Sequence, residues 1–292
     1  MKPDQETFAK TNEALLKERL IPIDQDDGRL DDEREAWPLV LQMMDHLGST
    51  DPELRDELIY AVLRRWSESL LDTRQLTELL STALDDRHLF HGLGDRESDS
   101  VFMRSFSSLV VALVVAQHRA RRFLSPPNVA ETQRRMVTYL ARERDLRGFV
   151  AVKGWAHAVA HAADALDELA LCEELGEREL LEILDVVRQT VATADVVFAD
   201  DEDERLVTAV MSAAGRDVLT RDDLARWLAG FVTLEQLPTR REWARRRTNL
   251  KHFLRSLYFR ARYEDVADRF EPALSETLRD VSLAGYPGGS QP

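Results

Sequence analysis

Apolar residues recur at three- and four-residue spacings along almost the whole chain, and no stretch alternates apolar with polar between turn signals. The pattern predicts an all-α protein that needs no strands. Residues 3–19 read as a charged amphipathic helix, followed by an acidic link through Asp24, Asp26, Asp27 and Gly28. A helix over about 34–47 ends at Gly48. Asp51-Pro52-Glu53 opens the next by placing proline at the first helical position, where its missing N–H is harmless. Asp72 or Thr73 caps a helix reaching about Asp86, and 88–99 is a loop with two glycines. Residues 100–121 form the most apolar helix, its end marked by basic residues and Pro126-Pro127.

Beyond the prolines, 129–143 is amphipathic, Gly148 permits a turn, and a helix runs from about Lys153 to Glu174, stopped by Gly176. A long helix covers 177–198. Acids crowd 199–204 before another helix starts near Arg205, where their charge favours a helix N-terminus. Further helices are predicted over 217–232, from Pro238 to about Tyr263, and over 266–283. About ten helices joined by short links suit consecutive helical hairpins near the repeat length of HEAT and armadillo units, although no self-similar repeat is visible. The expected architecture is therefore an α-α superhelix. Its organisation is an N-terminal helix and acidic linker over 1–29, one helical-repeat domain over 30–284, and a disordered tail over 285–292.

With 292 residues and 44% hydrophobic content the chain can bury a sizeable core. A formal charge of −14 sets its long-range field against nucleic acid and anionic membrane alike. Cys172 is the one cysteine, which excludes an intramolecular disulfide and a cysteine-based zinc knuckle. The opening residues lack the apolar core of a signal peptide, and the longest apolar run, 109–116, is too short to span a bilayer. The cytoplasm is the expected compartment. No P-loop, Rossmann glycine pattern or G-x-S-x-G elbow is present, which disfavours nucleotide hydrolysis, hydride transfer and α/β-hydrolase chemistry.

The distinctive chemistry gathers between Asp145 and Asp164. On one helix, His157, His161 and Asp164 fall within about 60° of each other, surrounded by alanines that let neighbouring backbones approach. Two neutral imidazoles and a carboxylate in that arrangement can meet one divalent transition metal and leave a position for water. Additional ligands would have to come from elsewhere, and His88, His91 or His118 could provide one. The plain alternative packs both histidines between helices, hydrogen-bonded and without cofactor. Arg104, set among Phe102, Phe106, Leu109 and Val110, needs an acidic partner, and Asp164 or Asp145 is the expected one. Arg147 and Lys153 extend a candidate anion site toward the start of the central helix. Trp155, like Trp37, Trp66 and Trp227, reads first as a core anchor.

Lys153-Gly154-Trp155-Ala156-His157, followed by His161 and Asp164, resembles the hallmark of the bacterial "domain of unknown function 2785" proteins. Asp145-x-Arg147-Gly148, Arg104-Ser105-Phe106-Ser107 and Leu54-Arg55-Asp56 before Tyr60 are similar to that family's pattern, over roughly residues 30–260. The resemblance implies a helical, HEAT-like cytoplasmic protein with no assigned biochemical activity. The Arg-rich helix at 240–262 is not among the hallmarks that carry the resemblance.

That helix carries nine Arg and Lys against one acid between Thr239 and Arg262, so it is +8 while the remaining chain is −22. Arg241, Arg245, His252 and Arg255 lie opposite its apolar stripe. Phosphate or nucleic-acid binding is one reading. Neutralisation by the acids at 199–204 and by Asp222-Asp223 is the other, and the protein's net field favours it.

Three functions follow in order. The first is a non-catalytic module that binds a protein segment or a small ligand around Arg104, Asp145, Arg147, Lys153, Trp155, His157, His161 and Asp164. The second is a metal-dependent, hydrolase-like enzyme in which His157, His161 and Asp164 activate water. The third is a phosphate or nucleic-acid binder using the basic helix.

Overall fold

The computed structural model describes residues 3–232 and 237–286. Its helices are α1 (Pro3–Gln25), α2 (Ala36–Asp45), α3 (Ala61–Ser69), α4 (Thr73–Ala83), α5 (Ser100–Arg121), α6 (Pro126–Arg142), α7 (Ala158–Ala170), α8 (Glu177–Val191), α9 (Glu202–Gly215), α10 (Arg221–Ala229), α11 (Arg240–Tyr263), α12 (Ala267–Phe270) and α13 (Ala273–Leu283). A π-helical stretch, Glu53–Tyr60, leads directly into α3. The protein is mostly helical, with thirteen α-helices among the described residues where about ten were expected. Strands do occur, against expectation: β1 (Phe149–Val150) and β2 (Gly154–Trp155) form an antiparallel hairpin. Most of the predicted tail, beyond Tyr286, lies outside the described residues.

The chain divides into two compact units, Met1–Leu124 with Glu143–His161, and Ser125–Arg142 with Ala162–Pro292. In the first, α1 is longer than its sequence pattern suggested and buries Leu16, Leu20 and Ile23 against α3 and the π-helical stretch. Trp66 of α3 is fully packed and donates its indole N–H to the carbonyl of Gly28 at 2.6 Å, which ties down the acidic link. Helix α5 packs on α3 and α4 and buries Phe102, Val110, Val111 and Val114 completely. At about 1.5–3 kcal/mol for each large apolar side chain removed from water, α5 is a principal source of this unit's stability. By length and composition α5 could cross a bilayer, which the run at 109–116 did not suggest, but 72% of its apolar window is buried inside the protein. It ends at Arg122, whose backbone is left-handed, and Pro126-Pro127 begin α6 rather than closing α5.

In the second unit, α6 packs on α8, α8 on α9, α9 on α11 and α11 on α13. Helix α8 stops at Val191, seven residues short of its expected end, and the indole of Trp227 reaches back to the Leu184 carbonyl at 2.7 Å. The acids 202–204 occupy the first turn of α9, as helix electrostatics favour. Pro272, which has no N–H to give, separates α12 from α13 where one helix was expected.

Helix α10 opens with a reciprocal cap. Thr220 Oγ1 accepts from the Asp223 N–H at 3.1 Å, and the Asp223 carboxylate accepts from the Thr220 N–H at 2.8 Å. The Thr220 hydroxyl, then its N–H, hold the Asp223 carboxyl below its ordinary 3.8. A depressed carboxyl contributes stability that is present above the unfolded value and lost as pH falls through the folded one. Thr220→Ala is expected to cost about 1 kcal/mol in chemical denaturation at neutral pH. The gap from the wild type should narrow below about pH 3.8, as Asp223 protonates in both. A gap that stays constant down to pH 2 would mean that the cap does not depend on the ionised carboxylate.

Candidate functional site

The segment 149–157 was expected to begin a helix; it folds as a hairpin instead. Phe149 pairs with Trp155 and Val150 with Gly154, and the Gly148 carbonyl accepts from the Ala156 N–H at 2.8 Å. A three-residue loop, 151–153, joins the strands and is followed by Gly154 at φ +78°. Val152 at the tip has φ +70°, a region that a β-branched residue enters only under constraint. His157 is also left-handed, at φ +43°, so no regular helix can pass through it, and α7 starts one residue later. Its carbonyl nevertheless accepts from the His161 N–H at 2.9 Å, closing the first turn.

What holds the hairpin in this shape lies almost a hundred residues upstream. Arg55 is fully buried, its guanidinium carbon 4.3 Å from the centroid of the Phe102 ring and 4.7 Å from that of Phe106. It donates to the Ser49 carbonyl at 2.6 Å and the Lys153 carbonyl at 2.8 Å, and reaches the Trp155 carbonyl at 3.5 Å. Asp56 lies 2.7 Å from the Arg55 Nε and accepts the Trp155 N–H. Burial dominates both partners, pushing the Asp56 carboxyl up and the Arg55 guanidinium down, while their mutual attraction opposes each shift. Gly154 is clamped in the same place. A Cβ there would stand 2.8 Å from the Pro52 Cβ and 3.1 Å from Arg55 Nη2.

From this frame a file of rings runs inward. Phe149 meets Trp155 edge-on at 5.0 Å, Trp155 stacks on His157 at 4.3 Å, and His157 meets His161 edge-on at 5.5 Å. His161 then meets Phe106 edge-on at 5.0 Å. Both imidazoles are buried, whereas Phe149 is 55%, Val152 92% and Trp155 41% exposed. Trp155 is therefore not the core anchor its type suggested. The hairpin presents three large apolar side chains to solvent over a buried, polarisable base.

Arg104 does have its acidic partner, but it is neither Asp164 nor Asp145. Glu143 takes the guanidinium bidentately at 2.7 and 3.0 Å, with neither side chain exposed, and the remaining nitrogen donates to the carbonyls of His91 and Gly92 and to Ser100 Oγ. The reason is positional: Glu143 directly follows α6, and its carboxylate also accepts the N–H groups of Arg144 and Asp145. Asp145 instead holds Arg147 at 2.6–2.7 Å and accepts the Ser98 N–H, and Arg147 donates to the Ser98 carbonyl. Lys153 pairs with Asp99 at 2.7 Å. The expected anion site is thus a set of internal links that bind 98–100 to 143–153.

The remaining candidates have local duties. Asp164 belongs to the second unit and pairs there with Arg205; burial pushes its carboxyl up, and Arg205 pulls it back. His88 Nδ1 lies 2.7 Å from Asp85, His91 lends its carbonyl to Arg104, and His118 Nδ1 accepts the N–H groups of Phe123 and Leu124. Among the described residues no three His, Cys, Asp or Glu side chains are grouped to hold a metal ion. On α11, Arg241, His252 and Arg255 are exposed and Arg245 donates to the Asp195 carbonyl at 2.9 Å.

A family model described as "Protein of unknown function (DUF2785)" matches residues 89–259. The chain belongs to this family. The matched span of DUF2785 holds Arg104, Glu143, the hairpin and both histidines, but it starts after Arg55 and Asp56, which complete the hairpin's support. No curated protein and no solved structure matches the chain. Sequence reasoning missed Arg55, Asp56, Glu143 and Phe149 as parts of the site. A local signal existed in Gly148-Phe-Val-x₃-Gly154-Trp, two glycines bracketing β-prone residues.

Proposed function

We propose that this DUF2785 protein is a non-catalytic binding module that receives a protein segment on the hairpin of its first unit. The observation that carries the reading is the exposure of Phe149, Val152 and Trp155 on a backbone held by the buried Arg55. Exposed aromatic anchors on a rigid frame lose little conformational entropy on binding, and such residues dominate interface energetics. The left-handed Val152 fits the same view, since strain kept at an exposed tip is retained for presentation rather than packing. Arg147 and Lys153 beside the tip are paired with Asp145 and Asp99, so the recognition rests on the apolar side chains. The succession of α6, α8, α9, α11 and α13 in the second unit supports the further reading that the helices stack as helical-repeat units do.

A phage-displayed peptide library panned on the full chain tests this. Enrichment of an apolar consensus is expected, with the synthetic peptide binding at least tenfold more weakly to Trp155→Ala, a loss of about 1.4 kcal/mol or more. Because Trp155 is partly exposed, the variant's thermal melting should stay close to that of the wild type. No enriched consensus, or equal binding by the variant, would count against the proposal.

A further inference from the structure

The basic helix was expected to be neutralised by the acids at 199–204 and by Asp222-Asp223; several of its cations have other contacts. Of its nine cations, Arg260 and Arg262 pair with Glu264 and Glu271, outside both groups. Arg246 donates to the Ala192 carbonyl, and Arg245 and Arg247 donate to the carbonyls of Asp195 and Val281, contacts that orient these two guanidiniums without cancelling their charge. Asp223 is taken by Thr220 and Arg226. Glu204 accepts from Ser256, and among the basic helix's side chains Asp203 is influenced by His252. Among the described residues no carboxylate pairs with Arg241, Lys251 or Arg255.

Arg247, Lys251 and Arg255 are spaced four apart, so like charges stand one above another, an arrangement that opposes helix formation. Burial, then Arg247 and Arg255, hold the Lys251 ammonium below its ordinary value. At its C-terminal end the same helix bears Phe259, 50% exposed, and Tyr263, 77% exposed, their rings stacked at 6.2 Å, and Arg262 lies 3.6 Å over the Tyr258 ring. Cations followed by bare ring faces match a strand that offers phosphates and unstacked bases together. An acidic peptide would use the cations and leave the rings idle, and a duplex hides its base faces.

We propose that the exposed side of α11, from Arg241 through Lys251 and Arg255 to Phe259 and Tyr263, binds single-stranded nucleic acid. Phosphates sit along the arginine and lysine row, and bases stack on the ring pair. The −22 carried by the rest of the chain makes the attraction local and strongly dependent on salt.

The test is fluorescence anisotropy of a labelled oligothymidylate of about 15 nucleotides with the full chain, at about 50 and about 200 mM salt. Binding is expected at the lower salt, weakening with a log–log slope of about −2 for three neutralised phosphates. Arg241→Gln, Lys251→Gln and Arg255→Gln together relieve repulsion, should leave thermal melting unimpaired, and should weaken binding at least thirtyfold. Arg34→Glu, Arg74→Glu and Arg134→Glu together change net charge more and should weaken it far less. Phe259→Ala and Tyr263→Ala should each weaken oligonucleotide binding about fivefold or more and leave heparin binding unchanged. Absence of binding at low salt, equal loss in the control charge variant, or ring substitutions without effect would each overturn the proposal, the last reducing α11 to a generic polyanion surface.

Discussion

Arg104→Met is expected to destabilise the chain by about 3–5 kcal/mol, because it removes one half of an ion pair from which water is excluded. Both side chains are wholly buried, and Glu143 receives two hydrogen bonds from Arg104. Methionine fills much of the volume, so the loss is electrostatic more than steric. An ionised Glu143 would be left with the Arg144 and Asp145 N–H groups alone among these contacts, and the carbonyls of His91 and Gly92 would lose a donor. The cost is a large share of the about 5–15 kcal/mol that separates a folded domain from its unfolded chain. Adding Glu143→Leu should return part of it, since an apolar pair of similar volume carries no desolvated charge. Chemical denaturation of the four proteins of the cycle measures this. A single-variant loss under 1 kcal/mol would show that water reaches the carboxylate.

The second large effect belongs to Gly154→Ala, at about 2–4 kcal/mol. Two costs add there: a left-handed backbone at φ +78°, and a Cβ that would meet the Pro52 ring at 2.8 Å. Neither a proline ring nor the Arg55 guanidinium behind it has room to give. Gly94 separates the two causes. It is left-handed as well, at φ +102°, but a Cβ added to it meets nothing within 4 Å. Gly94→Ala should therefore cost only the backbone term, about 1 kcal/mol. If the two variants melt alike, the close approach of the hairpin to Pro52 is not what the glycine serves. In the peptide assay Gly154→Ala should also weaken binding, since Trp155 takes its position from the neighbouring carbonyl contacts of Arg55.

The helices were legible because their causes are local. Thr220-x-x-Asp223 and Thr239-x-x-Glu242 announce capping boxes in the letters, and both form. The apolar periodicity over 100–121 reproduces α5 residue for residue. The hairpin was not legible in the same way. Its strands are two residues each, too short for a period to show, and they depend on Arg55 and Asp56, whose distance in sequence hides the contact. The alanines beyond residue 155 then made the helix look longer at its N-terminal end than it is. His157 carried the expected chemistry but not the expected backbone. The pair of imidazoles does come together, as one ring against the other and not as two positions on a single helical face. Glu143 escaped notice because Asp145 stands only two residues away and only folding chooses between them.

The carbonyls that Arg55 grips have a practical bearing on where this family's domain should be cut. A fragment taken at the matched limits, 89 and 259, would begin in a loop and end inside the last turns of α11, and it would discard the guanidinium that gives the tip its curvature. The recognisable portion of the chain and the portion that shapes the tip are not the same.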